Sequence, residues 1–139
     1  MHSFYFMPAE NLCTISNSVL FGIVVVSLFI IKIDLMPNVA LWVQLEAEKG
    51  KEAEVEKFLR DGLPIVNNEP GTITWYALKL SPTSYAIFDT FSDNKEREAH
   101  LAGEVAKALK EKASELFSKP PTIERIDILA AKMPELQHH

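Results

Sequence analysis

The stretch TSYAIFDTFSDNKEREAH, from Thr83 to His100, predicts a strand that runs directly into a helix. Its first half alternates between two sets of side chains, which is the period-two pattern of a strand with two distinct faces. The alternation stops at Asp93, which has the spacing of a capping box from Glu96 and predicts the start of a helix. Asp89 and His100 then come from adjoining elements, and we expect any functional site to lie at their junction.

The composition suits one domain with an appendage, because the chain has 139 residues, 24% of them charged, and a net charge of -5. This acidic balance, with no basic run, argues against nucleic acid as a partner, since phosphate binding needs a basic patch. The one cysteine, Cys13, permits no disulfide within the chain, and the sequence has no cysteine–histidine zinc framework. We therefore expect a cytoplasmic protein with no metal site.

Residues 1–35 differ from the rest because they contain the apolar run VLFGIVVVSLFII, from Val19 to Ile31. A membrane helix needs about 20 apolar residues, so this run is short. A signal peptide needs a basic n-region, whereas the first thirty residues contain no lysine or arginine. The third interpretation, which we favour, is an extension outside the working domain, with Met36 as an alternative start. Membrane contact is expected only if residues 19–31 are native.

Residues 36–133 are predicted to form one domain, and residues 134–139, which end in two histidines, a tag-like tail. The element order of the domain is β-α-β-β-α-β, that of the α+β, ferredoxin-like fold, with helices on one face of a four-stranded antiparallel sheet. Gly103 is expected to divide the second helical region in two. The predicted strands are 39–47, 72–80, 83–91 and 122–131, and the helical regions are 52–66 and 94–117.

The second and third strands are predicted to form a hairpin, because Ser81 and Pro82 make a tight turn between them. If Leu80 pairs with Thr83, Tyr76 lies opposite Ile87 and shares the face of the sheet that carries the other candidate site residues.

The second face of the sheet needs a cover, because the strands carry apolar residues on both faces and the helices cover only one. A second subunit is the economical cover, so we expect a homodimer packed through its sheets. The candidates for that interface are Trp42, Trp75 and Phe88.

Four groups of residues stand in order along the predicted domain. They are Glu69-Pro70-Gly71-Thr72, Ile87-Phe88-Asp89-Thr90-Phe91, Arg97-x-x-His100-Leu101-x-Gly103 and Pro120-Pro121-Thr122-Ile123-Glu124. Together they resemble the antibiotic biosynthesis monooxygenase (ABM) domain of the dimeric α/β barrel superfamily. The resemblance spans roughly residues 36–133 and implies a dimeric barrel with a small pocket between sheet and helices in each subunit. Members include cofactor-free oxygenases of quinols or phenols, haem-degrading enzymes and proteins with no known substrate.

The chain departs from the family pattern at two positions. The family often has a tryptophan where Phe91 stands and a histidine where His100 stands, and this chain keeps only the histidine. The haem-degrading branch also uses an asparagine on its first strand, where this chain has Trp42 and Gln44. We therefore rank haem degradation low.

Each candidate residue has a functional and a structural interpretation. His100 could shuttle a proton, since imidazole titrates near neutrality, or it could cap the end of a short helix or form a hydrogen bond with the backbone. Asp89 lies within an apolar strand, so its carboxylate must be paired or have a raised pKa. It could hold His100 in one tautomer or accept a proton from a phenol, or it could form a structural pair with Arg97.

Residues and resemblance together predict a cofactor-independent monooxygenase that oxidises a small quinol or phenol, with molecular oxygen as co-substrate. His100 would be the base and Asp89 its electrostatic partner, while Tyr76, Phe91 and Arg97 would bind the substrate. One alternative is a non-catalytic small-molecule-binding or stress-response protein with the same dimeric barrel. Another is a membrane-associated protein that places the domain beside membrane quinones.

Overall fold

The computed structural model describes residues 22–26 and 36–135. The chain divides into two compact units, residues 1–34 and 35–139. Residues 22–26 are helical, while the rest of the apolar run and residues 136–139 of the tail lie outside the described residues. Among the residues that are described, no helix has the length and apolar character to cross a membrane.

The second unit has the predicted ferredoxin-like α+β fold. All strand pairs are antiparallel, and the sheet has the order β2-β3-β1-β4. As predicted, Gly103 separates two helices and stands at the N-cap of the second one. The elements in chain order are β1 (Val39–Glu46), α1 (Glu52–Val66), β2 (Thr72–Lys79), β3 (Ser84–Phe91), α2 (Asn94–Leu101), α3 (Glu104–Leu116) and β4 (Thr122–Asp127).

The core lies between the helices and one face of the sheet. Strand β1 runs through the middle of the sheet and points alternate residues, among them Leu41 and Leu45, into this core. Helices α1 and α3 contribute apolar residues at helical spacing, such as Leu59 and Leu109. Helix α2 covers the end of β1 and β3 through a smaller cluster around Phe91.

The packing of α1 differs from its predicted apolar stripe, because Leu63 is exposed rather than buried. Gly62 faces the core instead, and a Cβ at this position would lie 3.3 Å from the ring of Trp75. The glycine therefore allows the helix to approach the indole closely. The helix also continues past Pro64 to Val66, so its last turn forms despite the proline.

The predicted register of the β2–β3 hairpin is wrong by one residue. The Leu80 N–H donates to the Ser84 carbonyl at 2.8 Å, so the turn contains three residues rather than two. A shift of one residue moves every side chain of a strand to the opposite face of the sheet. Tyr76 consequently pairs with Phe88, and Trp75 pairs with Asp89.

This register corrects one of the three residues predicted for the subunit interface. Trp75 lies on the face that the helices cover and packs against the main core. Trp42, Phe88 and Tyr76 are neighbours in one row across β1, β3 and β2, on the face without helices. The rings of Tyr76 and Phe88 stack at a centroid distance of 6.4 Å, and Tyr76 is 52% exposed.

Candidate functional site

The junction of β3 and α2 brings a carboxylate and an imidazole together, as the sequence indicated. The Asp93 side chain caps α2 by accepting a hydrogen bond from the Glu96 N–H at 2.9 Å. His100 then lies near the end of this eight-residue helix, on the side that faces the sheet. Asp89 points from β3 toward the same helix, because its pairing partner Leu41 is a residue of the smaller core cluster.

His100 lies between two carboxylates. Its Nε2 atom is 3.0 Å from Oδ2 of Asp89, and its Nδ1 atom is 2.5 Å from Oε2 of Glu69. The Phe91 ring packs against the imidazole at a centroid distance of 5.3 Å. The histidine side chain is 6% exposed, so these contacts form in a site that is largely closed to water.

Asp89 is the most unusual group of the site. Its side chain is 1% exposed, and neither of its carboxylate oxygens has a hydrogen-bond partner among the residues that the structure describes. The Nε2 atom of His100, 3.0 Å from Oδ2, forms an ion pair with this carboxylate when the imidazole is protonated. A buried acceptor without a donor is costly, which makes this carboxylate a candidate for binding a ligand.

Burial and charge shift the acid–base behaviour of both groups. Burial raises the pKa of Asp89, and the nearby imidazole offsets part of this rise. For His100, burial alone would lower the pKa, but Asp89 and Glu69 together outweigh it and raise the pKa above its ordinary value of 6.5. The site therefore favours an imidazolium held between the carboxylates, and a histidine that is a stronger base than usual.

Glu69 is a site residue that the sequence analysis did not identify. It lies in the loop before β2, and its Oε2 atom also accepts a hydrogen bond from the Thr72 hydroxyl at 2.7 Å. Thr72 pairs with Phe91, which places this loop beside the end of β3. The antiparallel hairpin was predicted, so the position of the loop could have been inferred from it.

Two cavities meet at the site. The sheet cavity, of about 730 Å³, lies between the sheet and helices α2 and α3, and Asp89 contributes to its wall. The loop cleft, of about 530 Å³, lies between the 68–72 loop and α2, and Glu69 contributes to its wall. His100 lines both of them, and no other residue does so in the described part of the chain.

The sheet cavity is apolar on the side of the sheet and charged at one edge. At that edge Arg125 binds Glu98 through two contacts of 2.8 and 3.0 Å. The other polar groups in its wall are Asp89, His100 and Lys110. Its apolar lining residues on the sheet are Leu41, Val43, Ile87 and Ile123.

Arg97 does not pair with Asp89, which corrects the structural interpretation of that carboxylate. Its guanidinium donates to the carbonyls of Ala40 and Ile126, each at 3.3 Å, and to the side chain of Asn94 at 2.8 Å. Arg97 therefore fastens α2 to the sheet and lines neither cavity.

The five predicted site residues separate into two groups. The structure brings His100, Asp89 and Phe91 together, with the Phe91 ring fully buried behind the imidazole. Tyr76 lies on the opposite face of the sheet because of the hairpin register, and within one chain it cannot line the same pocket. No group of three metal-ligating side chains with suitable geometry occurs among residues 22–26 and 36–135.

The chain matches no family model and none of the curated proteins. It is 47% identical to a protein of unknown function from Nitrosomonas europaea, with a TM-score of 0.70, over 72% of this chain and 97% of that one. A proposed antibiotic biosynthesis monooxygenase from the same organism is 15% identical, with a TM-score of 0.60, over 66% and 99% of the two chains. Another from Caulobacter crescentus is 19% identical, with a TM-score of 0.59, over 71% and 96%. At these lower identities the likeness concerns the fold.

Proposed function

We propose that this chain, which shares its fold with two proposed antibiotic biosynthesis monooxygenases, oxidises a small quinol or phenol with molecular oxygen and no bound cofactor. The substrate would occupy the sheet cavity. His100 would act as the base, with Asp89 as its electrostatic partner and as the group that orients the substrate hydroxyl.

The observation that carries this proposal is the buried carboxylate of Asp89, which has no hydrogen-bond partner among the described residues and lies in the wall of a cavity whose sheet side is otherwise apolar. A phenolic O–H is the complementary group, because it donates one hydrogen bond while its ring occupies apolar space. Binding would give the buried oxygens a hydrogen-bond donor that the described residues do not supply. A ligand without a donor would leave them unpaired and would bind less tightly.

The chemistry follows from the position of the imidazole beside that carboxylate. The neutral form of His100, which is populated as the pH rises through its raised pKa, takes the phenolic proton at Nε2, and the new N–H then donates a hydrogen bond to the phenolate. The phenolate is electron-rich enough to reduce oxygen directly. A quinol and one oxygen molecule then give a hydroxyquinone and one water molecule, so the substrate supplies all the electrons.

We also propose that a second copy of the chain covers the helix-free face of the sheet. The row formed by Trp42, Phe88 and Tyr76 supports this, since aromatic residues in a continuous, partly exposed row are typical of interfaces. Burial of this row would complete the dimeric barrel that the resemblance implies.

Oxygen consumption with a panel of quinols and phenols tests the proposed reaction. His100→Ala should lower the rate by a factor of about 100 to 10,000, the usual contribution of a general base. Asp89→Asn keeps the shape of the side chain and should weaken binding of hydroxylated substrates more than binding of their methyl ethers.

Two results would contradict this mechanism. One is oxygen consumption by His100→Ala at the rate of the parent protein. The other is a complete lack of consumption with every quinol and phenol. If calorimetry then showed tight quinol binding, the alternative of a non-catalytic binding protein would replace the enzyme proposal.

A further inference from the structure

We propose that Glu69 is the proton exit of the site, so that a proton passes from Asp89 and His100 through Glu69 into the loop cleft. Glu69 is a positioning and relay residue in this scheme, because it acts through the imidazole and does not line the sheet cavity. The inference rests on the proposed function for the origin of the proton, whereas the route itself is a property of the protein without substrate.

The route is set by the two nitrogen atoms of one imidazole. Nε2 faces Asp89 on the side of the sheet cavity, and Nδ1 faces Glu69 on the side of the loop cleft. Since His100 lines both cavities, it forms the partition between them. A proton taken up at one nitrogen can therefore be matched by a proton given up at the other, without movement of the ring.

Exposure to water increases along this path. The side chain of Asp89 is 1% exposed, that of His100 is 6% exposed and that of Glu69 is 21% exposed. The 2.5 Å contact between Nδ1 and Oε2 is within the range of proton transfer. The Thr72 hydroxyl holds Oε2 of Glu69 in place from the other side, at 2.7 Å.

The charges around the imidazole favour this direction. Glu96 and Glu104 line the loop cleft together with Glu69, and no lysine or arginine of the described residues lines it. On the other side, Arg97 donates to backbone carbonyls and Arg125 pairs with Glu98. A cleft walled by carboxylates attracts the departing proton.

The proton that leaves the substrate and the proton that returns to the reduced oxygen can both use this route. The substrate O–H bond breaks and an N–H bond forms at Nε2, while the Nδ1 proton passes to Glu69 and then to water. Because oxidation of a quinol to a hydroxyquinone and water consumes no net proton, one proton must return when oxygen is reduced. Its return through Glu69 to Nδ1, with release of the Nε2 proton to the reduced oxygen, restores the starting tautomer.

The test is the rate at which the ring N–H protons of His100 exchange with water, measured by NMR on the full chain without substrate. Glu69→Gln keeps a hydrogen-bond acceptor but cannot take a proton, and it should slow exchange roughly 100-fold. The control is Glu96→Gln, which removes the same charge from the same cleft at a side chain that makes no hydrogen bond to His100, and it should leave the exchange rate unchanged.

Should Glu69→Gln fail to fold, Glu69→Asp retains the charge but withdraws the carboxylate from Nδ1, and it should also slow exchange. Equal exchange in the parent protein and in the folded Glu69 variant would overturn the relay, whatever the oxygen consumption. Slow exchange in the variant, in a protein that oxidises no quinol, would support the relay and contradict the proposed reaction. Normal oxygen consumption by Glu69→Gln would overturn the use of the relay in turnover.

Discussion

Each face of the sheet carries residues whose exposure to water is the reverse of what their polarity favours. On the face that the helices cover, Asp89 and His100 are charged or polar and almost fully buried. On the helix-free face, Tyr76 and its neighbours are aromatic, and Tyr76 is 52% exposed. Contact with water alone would favour exposed polar residues and buried aromatic residues, because charged groups are stabilised by water and large apolar groups are not. The comparison indicates that both faces serve something besides folding of one chain.

Strand β3 carries this contrast within eight residues, because Phe91 and Phe88 point to opposite faces. Truncating the fully buried Phe91 to alanine should lower the free energy of unfolding by about 3–5 kcal/mol, since it opens a cavity beside the imidazole. Phe88→Ala should cost about 1 kcal/mol within one chain, because this ring is only partly buried. Urea denaturation measures both values.

The remaining effect of Phe88→Ala should appear in self-association, measured by sedimentation over a range of protein concentrations. A weaker dimer in this variant, with Phe91→Ala as the control from the other face, would support the second copy on the helix-free face. A parent protein that sediments as a single chain at all concentrations would contradict that proposal.

Removing the imidazole should be nearly as costly as removing the Phe91 ring. His100→Ala leaves Asp89 buried without a counter-charge, and breaking a buried pair in this way costs about 3–5 kcal/mol. Replacing both residues by leucine should recover much of this loss, because apolar residues of similar volume often substitute for a buried ion pair. If the double variant were no more stable in urea than His100→Ala, the unpaired charge of Asp89 would not explain the stability that His100→Ala loses.

Stability should depend on pH in a direction that the site determines. Because its neighbours raise the pKa of His100 above its ordinary value of 6.5, the folded protein binds this proton more tightly than the unfolded chain does. The resulting stabilisation is complete below about pH 6.5 and is lost as the pH rises through the folded pKa. The raised pKa of Asp89 has the same sign in a more acidic range, since its carboxyl group also holds its proton more tightly when folded.

Urea denaturation at about pH 6 and about pH 9 checks this expectation. The parent protein should be more stable at the lower pH, and His100→Gln should lose most of that difference. The other histidines are present in both proteins and so cancel in the comparison. A parent protein that is more stable at the higher pH would contradict the raised pKa of His100.

The sequence predicted the fold well because periodicity is a local property. Residues 52–66 were expected to be helical, and α1 has these bounds. The hairpin register was missed because it depends on one residue of the turn, and that residue decides which face Tyr76 occupies. A period-two pattern shows that a strand has two faces but not how it aligns with its neighbour.

The site was predictable only in part for a related reason. Asp89 and His100 could be placed at one junction because a strand and a helix adjoin there. Arg97 and His100 are three residues apart on one helix, and spacing alone could not decide which of them reaches Asp89. Glu69 was missed because its contact with His100 joins residues 31 positions apart, and only the assembled hairpin brings them together.

The smallest expected effect concerns a second ion pair that involves α2. This pair lies at the surface and can be compared with the buried pair of Asp89 and His100. Glu98 and Arg125 form a two-contact pair, but both side chains are about half exposed, so water screens the interaction. Arg125→Ala should therefore change the urea midpoint by little more than the measurement error, and added salt should remove even that change. A loss as large as that of His100→Ala would mean that exposure is not what separates the two ion pairs. The burial of Asp89 would then no longer explain why His100→Ala lowers the stability of the protein.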